Sequence, residues 1–195
     1  MTSGILITLS LFIIGACDDA KSTDNNIRDI NNTGVITEEK NDNPGKDFAL
    51  KAAEGGTYEV EMGKLAEMKG KSEHVKKLGK MMAEDHAKAN AELKTLAEKK
   101  GLELSYAMGN EKQKMFDKLS EKNGEDFDKE YSDMMVDDHE KDIKLFKDQA
   151  ENGKDADLKT WAQGKVPVLE HHLEMVRTTV EAIKQEYKSN ASSTK

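Results

Sequence analysis

Two six-residue blocks carry the residue types best suited to chemistry: Met81-Met82-Ala83-Glu84-Asp85-His86 and Met134-Met135-Val136-Asp137-Asp138-His139. Four of the six positions are identical and a fifth keeps its acid. A third acid–imidazole group, Glu170-His171-His172, follows nearer the C-terminus. Neutral imidazole is the commonest protein metal ligand, and it is also the side chain that changes charge near neutral pH. Such groups can therefore build a metal site, or a polar layer in which each histidine bonds an acid.

Either use requires elements that bring distant residues to one height, and the apolar periodicity supplies them. A first helix is predicted over residues 46–71, with Phe48, Ala52, Gly55, Glu59, Met62 and Ala66 on one stripe at three- and four-residue steps. Ser72 reads as the N-cap of a second helix ending near Lys100, with Gly101 as its C-terminal stop. Its inward face is Val75, Leu78, Met82, His86, Ala89, Leu93 and Ala97. After a long connection with a short helix over 111–121, a third long helix is predicted over 125–151, burying Phe127, Tyr131, Met135, His139, Phe146 and Ala150. The last covers 155–188, burying Leu158, Trp161, Val168, His172, Met175, Thr179 and Ile183, with a kink at Pro167.

Four such helices make an all-α four-helix bundle. The first and last pairs are joined by short loops and form antiparallel hairpins. The middle connection is long enough to travel a bundle of ~40 Å, which is a ferritin-like crossover; an up-down bundle is the alternative. The helix midpoints fall near Glu59, His86, His139 and His172, so these four are predicted to converge, with Asp85, Asp138 and Glu170 nearby. On helix geometry His172 fits the inward stripe and His171 an edge.

Imidazoles with a carboxylate suit zinc, copper, nickel or iron, so one transition metal ion (zinc, copper or iron) is the expected cofactor if the layer binds anything. Met62, Met82, Met135 and Met175 beside the stripes invite copper, although methionine also fills irregular core gaps. A ferritin-type di-iron site needs Glu-x-x-His on two helices. Ala83, Val136 and Leu169 stand three residues before the histidines instead, which counts against an iron oxidase. No catalytic residues are assigned: there is no phosphate-cradling glycine loop and no serine in a nucleophile elbow.

The bulk numbers narrow the classes further. Over 195 residues, 30 Lys+Arg stand against 38 Asp+Glu, a net charge of −8 with the signs interleaved along helix faces. No basic stripe tracks a phosphate backbone, so no nucleic-acid partner is expected. Cys17 is the one cysteine and excludes an internal disulfide. It follows an apolar run, Ile5 to Ile14, and the small pair Gly15-Ala16. That run is too short to span ~30 Å of hydrocarbon and has the length of a signal-peptide core. Ile14-Gly15-Ala16-Cys17 resembles a bacterial lipobox, although Met1 to Gly4 bring no Lys or Arg. The organisation expected is a lipoprotein signal peptide over 1–16, a disordered tether from a lipidated Cys17 through residue 45, the helical domain over 46–188 and a tail over 189–195. The membrane is then a partner through the lipid anchor. Location would be the bacterial cell envelope, at the outer membrane or its periplasmic face. Homo-oligomerisation stays open.

Several runs together resemble a known family: Phe48-Ala49-Leu50-Lys51-Ala52-Ala53-Glu54-Gly55-Gly56, Met82-Ala83-Glu84-Asp85-His86, Met135-Val136-Asp137-Asp138-His139-Glu140 and Pro167-Val168-Leu169-Glu170-His171-His172-Leu173. They are similar to bacterial exported proteins known only as a domain of unknown function and often labelled outer-membrane proteins. The resemblance spans about residues 46–187. It implies the ferritin-like crossover, an envelope location and the set Glu59, His86, His139 and His172, and it supplies no activity. The leading expectation is a non-enzymatic, lipid-anchored envelope protein with a histidine–carboxylate layer able to bind a transition metal, in metal handling or envelope stress. The alternative is a structural or interaction module whose layer binds nothing.

Overall fold

Caps and apolar stripes decide where the helices start, stop and face. The computed structural model describes residues 45–193, which contain five helices and no strand. These are α1 (Lys46–Lys69), α2 (Glu73–Lys99), α3 (Asn110–Ser120), α4 (Gly124–Asn152) and α5 (Ala156–Ser193). No helix among them is long and apolar enough to cross a membrane. The predicted signal peptide, Cys17 and nearly all of the tether lie outside the described residues.

Ser72 caps α2 by accepting from the His74 amide at 3.2 Å. At the other end Gly101 takes φ 64°, the Gly101 amide donates to the Glu98 carbonyl and the Leu102 amide to the Ala97 carbonyl. That pair of reverse bonds is a Schellman stop, and it buries Leu102 against the end of the helix. Asp155 caps α5, its Oδ1 accepting from the amides of Asp157 and Leu158 at 3.1 and 3.0 Å.

The most extensive packing is α1 on α2 and α4 on α5. Both pairs are hairpins closed by short turns, so each is antiparallel. Phe48 meets Phe146 at one end of α1 and Lys71, just beyond the other end, meets Glu125, which sets α4 antiparallel to α1. Ser72 bonds Glu186 and Trp161 bonds Glu92, which sets α5 antiparallel to α2. α2 and α4 therefore point the same way, and residues 100–123, with α3 in them, return along the length of the molecule. Gly63 and Gly79 let α1 and α2 touch: a Cβ on either would lie 2.5–2.6 Å from the other's carbonyl oxygen.

The core is split in two. One apolar cluster holds Phe48, Leu93, Phe146, Leu158 and Leu169; the other holds Met62, Leu78, Met135, Val176 and Ile183. On all four long helices the break between clusters falls at the same place, next to Glu59, His86, His139 and His172. All four are buried, the most exposed at 5%.

Two expectations for α5 are corrected. Val168 and Met175 are 39% and 36% exposed, not inward. Trp161 is half-buried against Phe48 and Phe146, but the buried stripe runs through Leu158, Ala162, Leu169, His172, Val176, Thr179, Ile183 and Tyr187, so a stripe drawn through Val168 and Met175 slips by one position. The helix continues through Pro167, and Pro167 and Gln163 are both exposed, so the carbonyl that loses its donor lies on the solvent side. Finally, α5 continues to Ser193 rather than stopping at residue 188, with Ser189 and Ser192 donating to the carbonyls of Glu186 and Lys188.

Candidate metal centre

Each of the four long helices brings one polar residue to the gap between the apolar clusters. The three imidazoles form a near-equilateral triangle, with ring centroids 5.2–5.5 Å apart. One ring nitrogen from each of His86, His139 and His172 can be chosen so that all three lie within 4.8 Å of one another.

Hydrogen bonds fix how two of the rings are protonated. His139 Nδ1 lies 2.9 Å from the Met135 carbonyl oxygen, which can only accept, so Nδ1 carries the hydrogen and Nε2 a lone pair. His172 Nε2 donates to Asp85 Oδ2 at 3.0 Å, leaving Nδ1 bare. These bare nitrogens, His139 Nε2 and His172 Nδ1, face each other at 3.4 Å. Two bonds of about 2.05 Å at the tetrahedral angle hold ligand nitrogens about 3.3 Å apart. Without a proton or cation between them the lone pairs repel. Burial holds His86 and His139 down to about 4 and lowers His172 as well, so the rings are neutral at pH 7, the form that ligates metals.

His86 Nε2 is buried and has no hydrogen-bond partner. Its Nδ1 lies 2.9 Å from Glu59 Oε2, and His139 Nδ1 lies 3.5 Å from Glu59 Oε1. Neither N–H is aligned with the carboxylate, so both Glu59 oxygens lack a proper donor. A carboxylate 1% exposed and unbonded is costly. Burial, offset in part by His139 and reinforced by Asp138, pushes Glu59 up to about 7.

Of the neighbouring acids, Asp85 orients His172, as carboxylates orient histidine ligands behind metals. Asp138 is 7% exposed and turns toward α3, with Oδ1 3.9 Å from Lys112 Nζ and Oδ2 unpartnered. Glu170 is not drawn in: it pairs at the surface with Lys147 at 2.7 Å, because it falls on the outer face of α5. His171 is exposed, as its helix position predicts. Met62, Met82 and Met135 are buried in the apolar cluster, so their placement is that of core side chains.

The sequence reading missed Asp142, whose carboxyl is pushed up to about 8, first by burial and then by Glu59. It follows His139 by three positions and so shares its helix face, a spacing that could have found it. It also missed Tyr58, whose buried hydroxyl, like that of the inward-facing Tyr131, has no partner, and Lys112, which lies 4.3 Å over the Tyr58 ring. Lys112 comes from the crossover, and no periodicity in the long helices points to it.

Fold and site thus define an all-helical protein with three buried, converging imidazoles. The chain belongs to a family described as a domain of unknown function (DUF4142), whose model matches residues 32–179. No curated protein and no solved structure matches it.

Proposed function

We propose that this protein is a ferritin-like four-helix bundle that holds one transition metal ion at His86, His139 and His172, with Glu59 beside them. One observation carries the reading: two bare, neutral imidazole nitrogens face each other at 3.4 Å, a ligand-to-ligand separation, each with its other nitrogen tied back. The partnerless His86 Nε2 supplies a third donor. Neutral nitrogen donors with a nearby carboxylate suit zinc, copper or iron. The parallel course of α2 and α4, which forces a full-length crossover, supports the ferritin-like topology. The lipobox-like stretch ending at Cys17 supports an exported, lipid-anchored envelope protein whose role is metal handling or defence against envelope stress.

Elemental analysis of the chain purified without a polyhistidine tag, beside the His86→Ala/His139→Ala variant, tests this directly. Near-stoichiometric metal in the wild type and its loss from the variant are expected. No retained metal after loading with zinc, copper and iron would show the layer to be a purely structural one.

A further inference from the structure

A cavity of ≈ 30 Å³ lies beside the histidines, with His86, His172, Glu59, Asp85 and Asp142 on its wall. Ala89 of α2 and Lys165 and Val168 of α5 also line it. Val168 is 39% exposed, so the cavity is near solvent there.

The protein offers a metal here three nitrogens. Glu59 approaches His86 and His139 through their Nδ1 atoms, at 2.9 and 3.5 Å, whereas the nitrogens without a hydrogen are His139 Nε2 and His172 Nδ1, and His86 Nε2 has no partner. Glu59 thus lies on the Nδ1 side of these rings, and among the described residues the group whose ligand atoms gather within 4.8 Å is the three histidines without it, so it does not fill a fourth vertex. Zinc and iron(II) take at least four ligands, and an unfilled fourth place is the mark of an exchangeable position.

Size and charge say what would fill it. About 10–15 Å³ measured this way admits one water, so the cavity accepts one or two non-hydrogen atoms. The wall offers an anion no unpaired cation, and besides its histidines it carries the carboxyl groups of Glu59, Asp85 and Asp142. The one lysine on it, Lys165, is already paired with Glu92. Ala52, Phe146 and Leu169 complete the wall with apolar surface.

Resting on the metal reading above, we propose that the metal at His86, His139 and His172 binds a neutral ligand of one or two non-hydrogen atoms, of the dioxygen, nitric oxide or carbon monoxide class, through this cavity. The probe is nitric oxide added anaerobically to the full chain loaded with iron(II), read by electron paramagnetic resonance with iron content measured on the same samples. The wild type should give the half-integer-spin iron–nitrosyl signal in proportion to its iron. Ala89→Leu, which narrows the cavity without touching a ligand, should keep its iron and lose the signal roughly tenfold or more at equal nitric oxide.

Wild-type protein that holds iron but gives no nitrosyl signal would overturn the open position while leaving the metal reading intact. An unchanged signal in Ala89→Leu would overturn the cavity as the route, and azide binding as tightly as nitric oxide would overturn the neutral class. Failure to hold any iron would take down the metal reading together with this proposal.

Discussion

Two buried polar clusters in this molecule follow opposite rules. Around Asp128, every contact closes. Its Oδ1 accepts from the Lys71 amide at 2.9 Å, its Oδ2 accepts from the Ser72 amide at 2.7 Å and from the Tyr187 hydroxyl, and Ser72 in turn donates to Glu186 at 2.6 Å. That latch ties the α1–α2 turn to α4 and α5. Around Glu59, on the same helices, both carboxylate oxygens, His86 Nε2 and the hydroxyls of Tyr58 and Tyr131 are left open. Buried polar groups that serve only the fold are almost always satisfied. The contrast within one chain is why the histidine layer reads as a site and the latch as scaffold.

The two clusters should break differently. Asp128→Ala removes the acceptor of the buried Ser72 amide, the half-buried Lys71 amide and a tyrosine hydroxyl at once, and a loss of about 3–5 kcal/mol in denaturant-measured stability is expected with metal content per folded molecule unchanged. Loss of metal on equal footing would erase the distinction between latch and site.

Next in size is the pH response of metal-free protein, which arises in the layer. Glu59 and Asp142 keep their protons to about 7 and 8, above the ordinary 4.5 and 3.8, so their contribution is present at low pH and lost as pH rises through those values. His86 and His139 are held down to about 4 from the ordinary 6.5, so stability falls as pH drops from 6.5 toward 4. Between about 4.5 and 6.5 the slopes oppose each other, and from about 6.5 to 8 the acids alone act, costing on the order of a few kcal/mol. Urea unfolding across this range should show a plateau and then a decline, and bound metal should remove the decline by favouring the ionised acids. Stability of the apo protein that rises steadily to pH 8 would contradict these protonation states.

Glu59→Gln isolates one member of the layer. At pH 8 the metal-free variant should be as stable as wild type or more stable by about 1 kcal/mol, because the amide has no charge to bury, while its metal affinity falls about tenfold or more. Parallel unfolding and metal-competition titrations measure the two effects. The smallest effect belongs to Glu170→Gln, which removes a surface ion pair: under about 0.5 kcal/mol in stability and no change in metal affinity.

Much of this was legible in the sequence because it rests on periodicity and caps. Phe48, Glu59 and Met62, or Phe127, Tyr131 and His139, repeat at helical steps, and Ser72 and Gly101 mark ends by mechanisms that act locally. The convergence of Glu59, His86, His139 and His172 was also readable, since helices of similar length meet at their midpoints. The last helix was less so: its stripe drifts, and Val168 and Met175 look inward only if the drift is ignored. Lys112 and the Asp128 latch were not readable, because each depends on how the crossover or a helix end meets another element. The unpaired state of Glu59 and His86 Nε2 was likewise hidden, since spacing places a side chain on a face without saying what it bonds.

X-ray absorption at the metal edge of the loaded protein tests the central claim most directly. A first shell at about 2.0–2.1 Å with the outer-shell scattering of three imidazoles is predicted, reduced to two in His172→Ala. An oxygen-only shell without imidazole scattering would place the metal on surface carboxylates and contradict the account.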